Sequence, residues 1–375
     1  MKWVKYYKSG DSAFSFRECA KDNGLNESGI HQYLNLRFTV SPLTIVNNVT
    51  KTTDCRCKEL SPGMGFRDLI VAQKPSSRFA VLLSGGVDSS VLATLYDSPE
   101  TDFIFVQTLV GDERRFFEMV SSKLVGRKHI VTLTPELYYQ YACEIYDEIT
   151  DPVGDAAIIG VYAAAKYAKT LGIENIVVGE GGDESFGGYW MYPQFRPNNN
   201  DDMIVPINLP ASHACIGFGH IPDVFKKYWD GFKGNCLRHV MEWDRRVALR
   251  DLFLWKNVYG GSLAGVVTHI PYYHPAVVKW AEDNLKMNDL VDMNNPLKTK
   301  VWLKNFASSI GVPLEAIVRT KMGFASEINA QVFERMARDT GFVSSVHVQM
   351  FPIWTLKRWC DGVGVSFDWK KYLVR

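Results

Sequence analysis

A glycine- and serine-rich loop, Ser84-Gly85-Gly86-Val87-Asp88-Ser89-Ser90, carries the first group of residues that could do chemistry. It follows the apolar run FAVLL and precedes an apolar helical pattern. Two glycines allow a tight turn and a close approach to a phosphate, and the N-terminus of the following helix offers unpaired N–H groups. Ser84, Ser89 and Ser90 add hydroxyl groups. The loop therefore predicts a phosphate-binding site.

Asp88 distinguishes this phosphate loop from a Walker A loop, which ends in Gly-Lys followed by Ser or Thr. A carboxylate would repel a bare phosphate, but it could hold one through Mg²⁺. The alternative interpretation is a Ser/Gly turn in which Asp88 caps the helix. The order of strand, SGGVDS and helix favours the nucleotide site, because doubly wound sheets bind ligands where their strands end.

A second loop, GEGGDESFGGY, runs from Gly179 to Tyr189 and follows another strand pattern. It contains Glu180, Asp183 and Glu184, and three carboxylates so close in sequence are costly to bring together without a cation. Asp183 is therefore predicted to be a second Mg²⁺ ligand opposite Asp88. The alternative is a solvated, flexible loop, against which the nearby phosphate loop argues.

The segments that must position these loops alternate between strand and helix patterns. The predicted strands cover 79–83, 102–108, 129–134 and 175–180, and the predicted helices cover 88–96, 113–124, 135–147 and 156–171. This alternation indicates βαβ units and a parallel, doubly wound α/β sheet. From about residue 223 the sequence predicts a mainly helical C-terminal subdomain, whereas the first sixty residues are less periodic.

Composition excludes several classes of protein. The 42 Lys and Arg residues nearly cancel the 41 Asp and Glu residues, which gives no support for a nucleic-acid or membrane partner. No apolar run reaches signal-peptide length at the N-terminus or membrane-spanning length elsewhere. Seven cysteines argue against a disulfide scaffold, and the CxC of Cys55 and Cys57 lacks zinc-knuckle spacing. We expect a cytoplasmic protein.

Together, SGGVDSS and GEGGDESFGGY resemble the synthetase domain of glutamine-dependent asparagine synthetase and its relatives, including β-lactam synthetases and lasso-peptide cyclases. Weaker similarities follow in the family's order within residues 31–330, at 31–63, 150–155, 269–272, 300–304 and 319–324. The resemblance implies an ATP pyrophosphatase fold of the adenine nucleotide α-hydrolase type. It also implies an N-terminal entry segment over 1–60 and a synthetase domain over 61–375.

In that family a substrate carboxylate attacks the α-phosphate of ATP, pyrophosphate leaves, and an amine displaces AMP to form an amide. The resemblance implies ATP and Mg²⁺ as cofactors, with Asp88 and Asp183 as the metal ligands. Lys300 matches the family's catalytic lysine, and Glu180 matches the glutamate proposed to take a proton from the amine. The implied nucleotide-binding residues are Ser84, Gly85, Gly86, Asp88, Ser89, Ser90, Gly181, Arg319 and Lys321.

Several positions depart from the family's pattern. His269 replaces an Arg, His274 replaces an Asp and Lys304 replaces an Arg. These replacements could adapt the site to a different acyl or amine substrate, or they could be neutral changes in packing. Lys2 stands where glutamine-hydrolysing members expose a cysteine nucleophile, and too few residues precede the phosphate loop for a glutaminase domain. We therefore expect no glutamine hydrolysis. The nitrogen would be free ammonia, ammonia from a separate glutaminase, or an amine on the substrate.

The sequence thus predicts an ATP-dependent ligase that adenylates a small-molecule or peptide carboxylate, which a carrier protein could present, and forms an amide. One alternative is a nucleobase- or tRNA-modifying ATP pyrophosphatase, since such enzymes share SGGxDS. The second loop and the neutral charge argue against it. Another alternative is a non-catalytic nucleotide-binding partner subunit, against which the intact Asp88, Glu180, Asp183 and Lys300 argue.

Overall fold

A computed structural model describes residues 4–8, 15–53, 57, 59–108, 113–194, 236–292, 295, 298–319, 330–342 and 347–372. Its largest sheet has five parallel strands in the spatial order β5-β4-β3-β6-β7. These strands are β3 (Phe79–Leu82), β4 (Asp102–Thr108), β5 (Arg127–Leu133), β6 (Asn175–Val177) and β7 (Val267–His269). The predicted parallel α/β sheet is confirmed.

The order of the strands creates a reversal point in the middle of the sheet. The chain runs outward from β3 through β4 to β5, and then returns to place β6 on the other side of β3. Ala80 of β3 is in register with Ile176 of β6. Crevices for ligands form at such a reversal point, outside the carboxyl ends of the two strands. The phosphate loop leaves β3 and the second loop follows β6, so both emerge at this crevice.

Helices cover both faces of this sheet, and the side chains of β3 alternate between them. Phe79 and Val81 belong to the apolar cluster that includes Val91 of the helix after β3. Ala80 belongs to a separate cluster that includes Ala164 on the opposite face. Alternate side chains of a strand point to opposite faces, so these short apolar runs are buried on both sides. The helices that follow β3, β4, β5 and β6 include α4 (Val87–Tyr96), α5 (Arg114–Ser121), α6 (Pro135–Glu148), α7 (Ala157–Thr170) and α8 (Gly182–Phe186).

The N-terminal part packs against the C-terminal part. It comprises β1 (Val4–Lys8), paired antiparallel with β2 (Val49–Thr53), and the helices α1 (Phe16–Asn23), α2 (Glu27–Leu36) and α3 (Phe66–Val71). Buried residues of α1 and α2 share one core with α6 and with the helix over 347–363. Tyr33 and Thr355 are linked by a 2.7 Å hydrogen bond between their hydroxyl groups.

The C-terminal part is mainly helical, as predicted, but it also supplies the edge strand β7. Its helices are α9 (Cys236–Trp243), a π-helix (Asp244–Phe253), α10 (Leu254–Leu263), α11 (Pro275–Asn284), α12 (Met287–Leu290), α13 (Val301–Ser309), α14 (Leu314–Val318), α15 (Ala330–Thr340) and α16 (His347–Val363). None of the helices in the described ranges is long and apolar enough to cross a bilayer.

Candidate active site

The two loops meet at the reversal point, and glycines allow their close approach. A Cβ on Gly182 would lie only 2.5 Å from Asp88 Oδ1, and one on Gly179 would lie 3.0 Å from the backbone nitrogen of Ser89. Any larger residue at Gly182 would push the loops apart. These two glycines therefore bring the second loop against the start of α4, as the sequence predicted for two loops facing one crevice.

The phosphate loop turns sharply just before the start of α4. Gly85 has φ +73°, and a Cβ there would lie 2.6 Å from the backbone carbonyl carbon of Phe116. Gly86 is the N-cap of α4 and makes no side-chain cap hydrogen bond. Asp88 therefore does not cap α4, and the alternative interpretation of the loop as a Ser/Gly turn capped by Asp88 is wrong in this respect. The first N–H groups of α4 have no side-chain cap, which suits an anionic ligand.

Serine hydroxyl groups fix the shape of the phosphate loop. Ser89 Oγ accepts from the backbone nitrogen of Ser84 at 3.2 Å, lies 3.1 Å from Ser84 Oγ, and donates to the Gly86 carbonyl at 3.1 Å. Ser90 is fully buried, and its hydroxyl has no hydrogen-bond partner within the described ranges. Ser84 and Ser89 therefore hold the turn together, whereas the role predicted for Ser90 in binding nucleotide remains a prediction.

Asp88 and Asp183 share one cation, the ammonium group of Lys300. Lys300 Nζ lies 2.7 and 2.5 Å from the two Asp88 carboxylate oxygens and 2.7 Å from Asp183 Oδ1. The exposed fractions of the side chains are 4% for Lys300, 15% for Asp88 and 8% for Asp183. Ion pairs this buried are screened little by water or salt. The structure thus brings together the three residues to which the family resemblance assigns the metal and the catalytic cation.

The three carboxyl groups of the second loop are stabilised in three different ways. Glu180 Oε2 accepts from Asn257 Nδ2 at 3.0 Å and lies 3.6 Å from Lys256 Nζ, while Asp183 pairs with Lys300. Glu184 accepts from the hydroxyl group of a tyrosine in the same loop at 2.6 Å. Burial, and then the negative charges of Asp183 and Glu180, raise the pKa of Glu184 to about 8. Glu184 is therefore held in its neutral form at neutral pH.

Asp88 and Asp183 fit the Mg²⁺ site that the family implies. In the described part of the chain, no three side chains of His, Cys, Asp or Glu form a metal-binding cluster. Mg²⁺ beside phosphates needs only one or two carboxylates, because phosphate oxygens and water complete its coordination. The two carboxylates come from two loops and already converge on one cation. They are therefore the residues that would hold Mg²⁺.

Lys256 and Asp155, to which the motifs gave no role, extend the site behind Glu180. Lys256 Nζ lies 3.3 Å from Asp155 Oδ2, and both side chains are buried. Although burial opposes ionisation, Lys256 and then Arg37 lower the pKa of Asp155 to about 2. Lys256 therefore lies between two carboxylates and holds Glu180 in place. Its only signal in the sequence is a polar pair, Lys256-Asn257, within the apolar stretch FLWKNVY.

Arg319 lies beside the phosphate loop, and its role in binding nucleotide stays a prediction. It donates to Glu113 Oε2 at 3.1 Å and to the Ser84 carbonyl at 3.5 Å, and its guanidinium lies 4.8 Å from the ring centroid of Phe116. Glu113 was not identified from the sequence, because nothing in the spacing links two residues so far apart. Lys321 lies outside the described residues.

Two of the three departures from the family's pattern have structural roles here. His274 caps α11, and its Nδ1 accepts from the backbone nitrogen of Ala276 at 3.1 Å, as the carboxylate of an Asp would. His269 Nε2 lies 2.8 Å from Asn175 Oδ1, across the pair of strands β6 and β7. Lys304 is half-buried one turn after Lys300, and burial, followed by the charge of Lys300, lowers its pKa.

The fold and the site define an α/β protein of the ATP pyrophosphatase type, with both loops at the reversal point of its sheet. The family model "Asparagine synthase" matches residues 73–341, and the chain belongs to this family. At the level of the family, this match supports an ATP-dependent amide-forming ligase.

Similarity to individual curated proteins is confined to shorter segments. The chain is 28% identical over 170 residues to "Putative asparagine synthetase (glutamine-hydrolyzing)" of Mycobacterium tuberculosis and Mycobacterium bovis. That match covers 44% of this chain and 24% of the relative. The chain is also 34% identical over 116 residues to "Asparagine synthetase (glutamine-hydrolyzing) 1" of Bacillus subtilis. This second match covers 29% of this chain and 18% of the relative. The chain thus spans about a quarter or less of these relatives.

Proposed function

We propose that this protein activates a substrate carboxylate with ATP, releases pyrophosphate, and transfers the acyl group to an amine or to ammonia. The observation that carries the proposal is the convergence of Asp88, Asp183 and Lys300 at the carboxyl ends of β3 and β6. A Walker-type kinase would need a lysine in the phosphate loop. Here the lysine comes from another element and meets an acid pair, an arrangement suited to displacement at the α-phosphate.

The first step joins two anions, so its barrier depends on neutralising negative charge. The start of α4 and the hydroxyl groups of Ser84 and Ser89 would bind the leaving pyrophosphate, and Arg319 would balance its charge. Mg²⁺ bound by Asp88 and Asp183 would supply further neutralisation of the phosphates. The Lys300 ammonium would stabilise the charge that develops on the α-phosphate.

The second step requires an amine that has lost a proton. Glu180 lies at the same crevice, with 23% of its side chain exposed, and its carboxylate is held by Asn257 and Lys256. A carboxylate fixed at two points can accept a proton from the attacking amine without first reorienting. We assign this general-base role to Glu180, and Lys256 is then a positioning residue for it.

The source of the nitrogen belongs to the same proposal. The curated relatives carry glutamine-hydrolysing names, but the matches cover only 24% and 18% of their length. We propose that the amine comes from free ammonia, from a separate glutaminase, or from the acyl substrate itself. A substrate-carrying protein would be a further partner in the last case.

Exchange of labelled pyrophosphate into ATP tests the first step across a panel of small-molecule and peptide carboxylates. We expect Mg²⁺-dependent incorporation of the label into ATP, and AMP as the nucleotide product once an amine completes the reaction. Asp88→Asn should abolish the exchange, whereas Asp68→Asn, a change at an exposed position, should leave it intact. Formation of ADP and orthophosphate would contradict the proposal.

The nitrogen source is tested with the carboxylate that supports exchange. Labelled ammonium, labelled glutamine and no added nitrogen are compared in separate reactions, and the product is analysed by mass spectrometry. We expect incorporation from ammonium, or an intramolecular product without added nitrogen. Release of glutamate from glutamine by the pure chain would contradict the expectation that an outside or substrate amine is used.

A further inference from the structure

The Lys300 ammonium group occupies the position at which a cation can contact both carboxylates. Its distances to the nearest oxygens of Asp88 and Asp183 are 2.5 and 2.7 Å. Lys300 Nζ donates to both Asp88 oxygens, and its 2.7 Å ion pair with Asp183 Oδ1 is equally short, so no water or other ion fits between the partners. The ammonium is therefore the counter-ion of the acid pair, and does not merely lie near it.

The walls around this position leave little freedom to rearrange. A Cβ on Gly188 would overlap both Asp183 Oδ1 and Lys300 Cε, and one on Gly182 would press on Asp88 Oδ1. Mg²⁺ binds carboxylate oxygens at about 2.0–2.1 Å, so a metal bridging both carboxylates would need the space that Nζ fills. The ammonium and a bridging metal ion therefore exclude each other.

The backbone of Lys300 has an unusual conformation, which fixes the position and direction of its Cα–Cβ bond. Its φ is +52°, in the left-handed region that residues with a Cβ rarely adopt, and it lies directly before α13. Its N–H donates to the Gly187 carbonyl at 3.1 Å. Strain of this kind persists where the surrounding structure requires it, commonly at functional sites. The backbone attachment thus keeps Lys300 at the second loop.

Lys304 places a second positive charge one turn further along α13. The described part of the chain puts no carboxylate within salt-bridge distance of it, and its side chain is half-buried. Lys300 thus balances one of the two negative charges of the acid pair and is also close to a like charge. An incoming divalent ion would take over the pairing with the carboxylates, and an anionic phosphate would then attract both ammonium groups.

We propose that Lys300 is the resident counter-ion of the metal site and that Mg²⁺ displaces its ammonium group from Asp88 and Asp183. Displacement frees the catalytic lysine to contact the α-phosphate. That contact with the α-phosphate rests on the proposed function. The displacement itself is a property of the chain and the metal alone. It makes the metal ion a condition for placing Lys300, in addition to its role in screening charge.

Titration with Mn²⁺ and Mg²⁺ in the absence of nucleotide tests this competition. A charge within about 4–6 Å of an ionisable group shifts its affinity for a proton by about ten- to a thousandfold, and we expect a similar effect on a metal ion. Lys300→Met should therefore bind Mn²⁺ at least about tenfold more tightly than the wild type, as measured by electron paramagnetic resonance of the free ion. Lys304→Met is the matched control, because it removes a nearby charge without emptying the position, and its effect should be smaller.

Thermal unfolding gives a second readout that needs no substrate. In EDTA, Lys300→Met should unfold at a lower temperature than the wild type, because its two carboxylates lose their counter-ion. Mn²⁺ should raise the unfolding temperature of Lys300→Met more than that of the wild type. Adding Asp183→Asn to this variant should remove the metal-dependent rise.

The proposal is overturned if Lys300→Met binds metal no more tightly than Lys304→Met does. If Lys300→Met does not fold in EDTA, it is purified with Mn²⁺, and its affinity is obtained by back-titration with a chelator. The metal titration is independent of adenylation. The metal titration can therefore be interpreted even if pyrophosphate exchange fails. Equal metal affinities of Lys300→Met and Lys304→Met would in turn leave the proposed ligase reaction intact.

Discussion

Replacing Glu184 by Gln should make the protein more stable at neutral and alkaline pH. Glu184 is 1% exposed, and burial followed by the charges of Asp183 and Glu180 raises its pKa from 4.5 to about 8. A glutamine has nearly the same shape and can still accept the hydrogen bond from Tyr189. The substitution therefore removes the cost of ionising a buried group and keeps the packing.

The sign of the effect follows from which state binds the proton. Between pH 4.5 and 8 the unfolded chain has lost the Glu184 proton, whereas the folded chain retains it. Unfolding then releases a proton, so the wild type loses stability as pH rises through this window. At about 1.4 kcal/mol per pKa unit, the loss amounts to roughly 3 to 6 kcal/mol. Below pH 4.5 both states are protonated and the contribution disappears.

The assay is urea unfolding followed by tryptophan fluorescence from pH 4 to 9 in EDTA, which keeps metal ions out of the comparison. We expect the wild type and Glu184→Gln to differ least near pH 4, and the advantage of the variant to grow up to about pH 8. Glu315→Gln, at an exposed position, should follow the wild type at every pH. Curves for Glu184→Gln and the wild type that run parallel over this range would refute a protonated Glu184.

Three further substitutions test the packing of the site, a buried ion pair outside it, and the role of Lys256 in the second step. Gly188→Ala should abolish pyrophosphate exchange and cost about 1–3 kcal/mol in urea unfolding, because its Cβ would overlap Asp183; normal exchange would contradict this. Lys51→Met should cost about 3–5 kcal/mol by leaving Asp151 buried without its ion pair, and adding Asp151→Asn should restore part of the loss. Lys256→Met should slow amide formation while exchange continues, as measured with the identified carboxylate, and equal losses in both steps would argue against a role confined to Glu180.

Local patterns predicted the sheet well where strands are long and helices regular. The predicted strand over 102–108 has the bounds of β4, and the predicted helix over 135–147 ends one residue before α6 does. The edge strand β7 was missed because Val267–His269 is only three residues long and lies within a mainly helical region. Its β-branched run, VVT, was the available signal.

The site was predictable in its two loops and much less so in its partners. Glycine and acidic residues in sequence order predicted that the loops share a crevice, and the structure places them there. Lys300 is 212 residues from Asp88, and only the family resemblance connected the two. The contact of Lys256 with Glu180 depends on how α10 is rotated about its axis. The preceding π-helix, with wider turns than an α-helix, sets that rotation in a way that local periodicity does not reveal.

The shared core of α2 and α16 has a consequence for how the protein is made. Tyr33 and Thr355 are 322 residues apart in sequence, so at about 5–20 residues per second α2 leaves the ribosome roughly 15–60 seconds before its partner. Ile30, Tyr33 and Leu34 are completely buried in the finished protein but lack this part of their packing during that interval. Newly made chains should therefore depend on chaperones that shield α2, and synthesis of α16 should set the time at which this shared core closes.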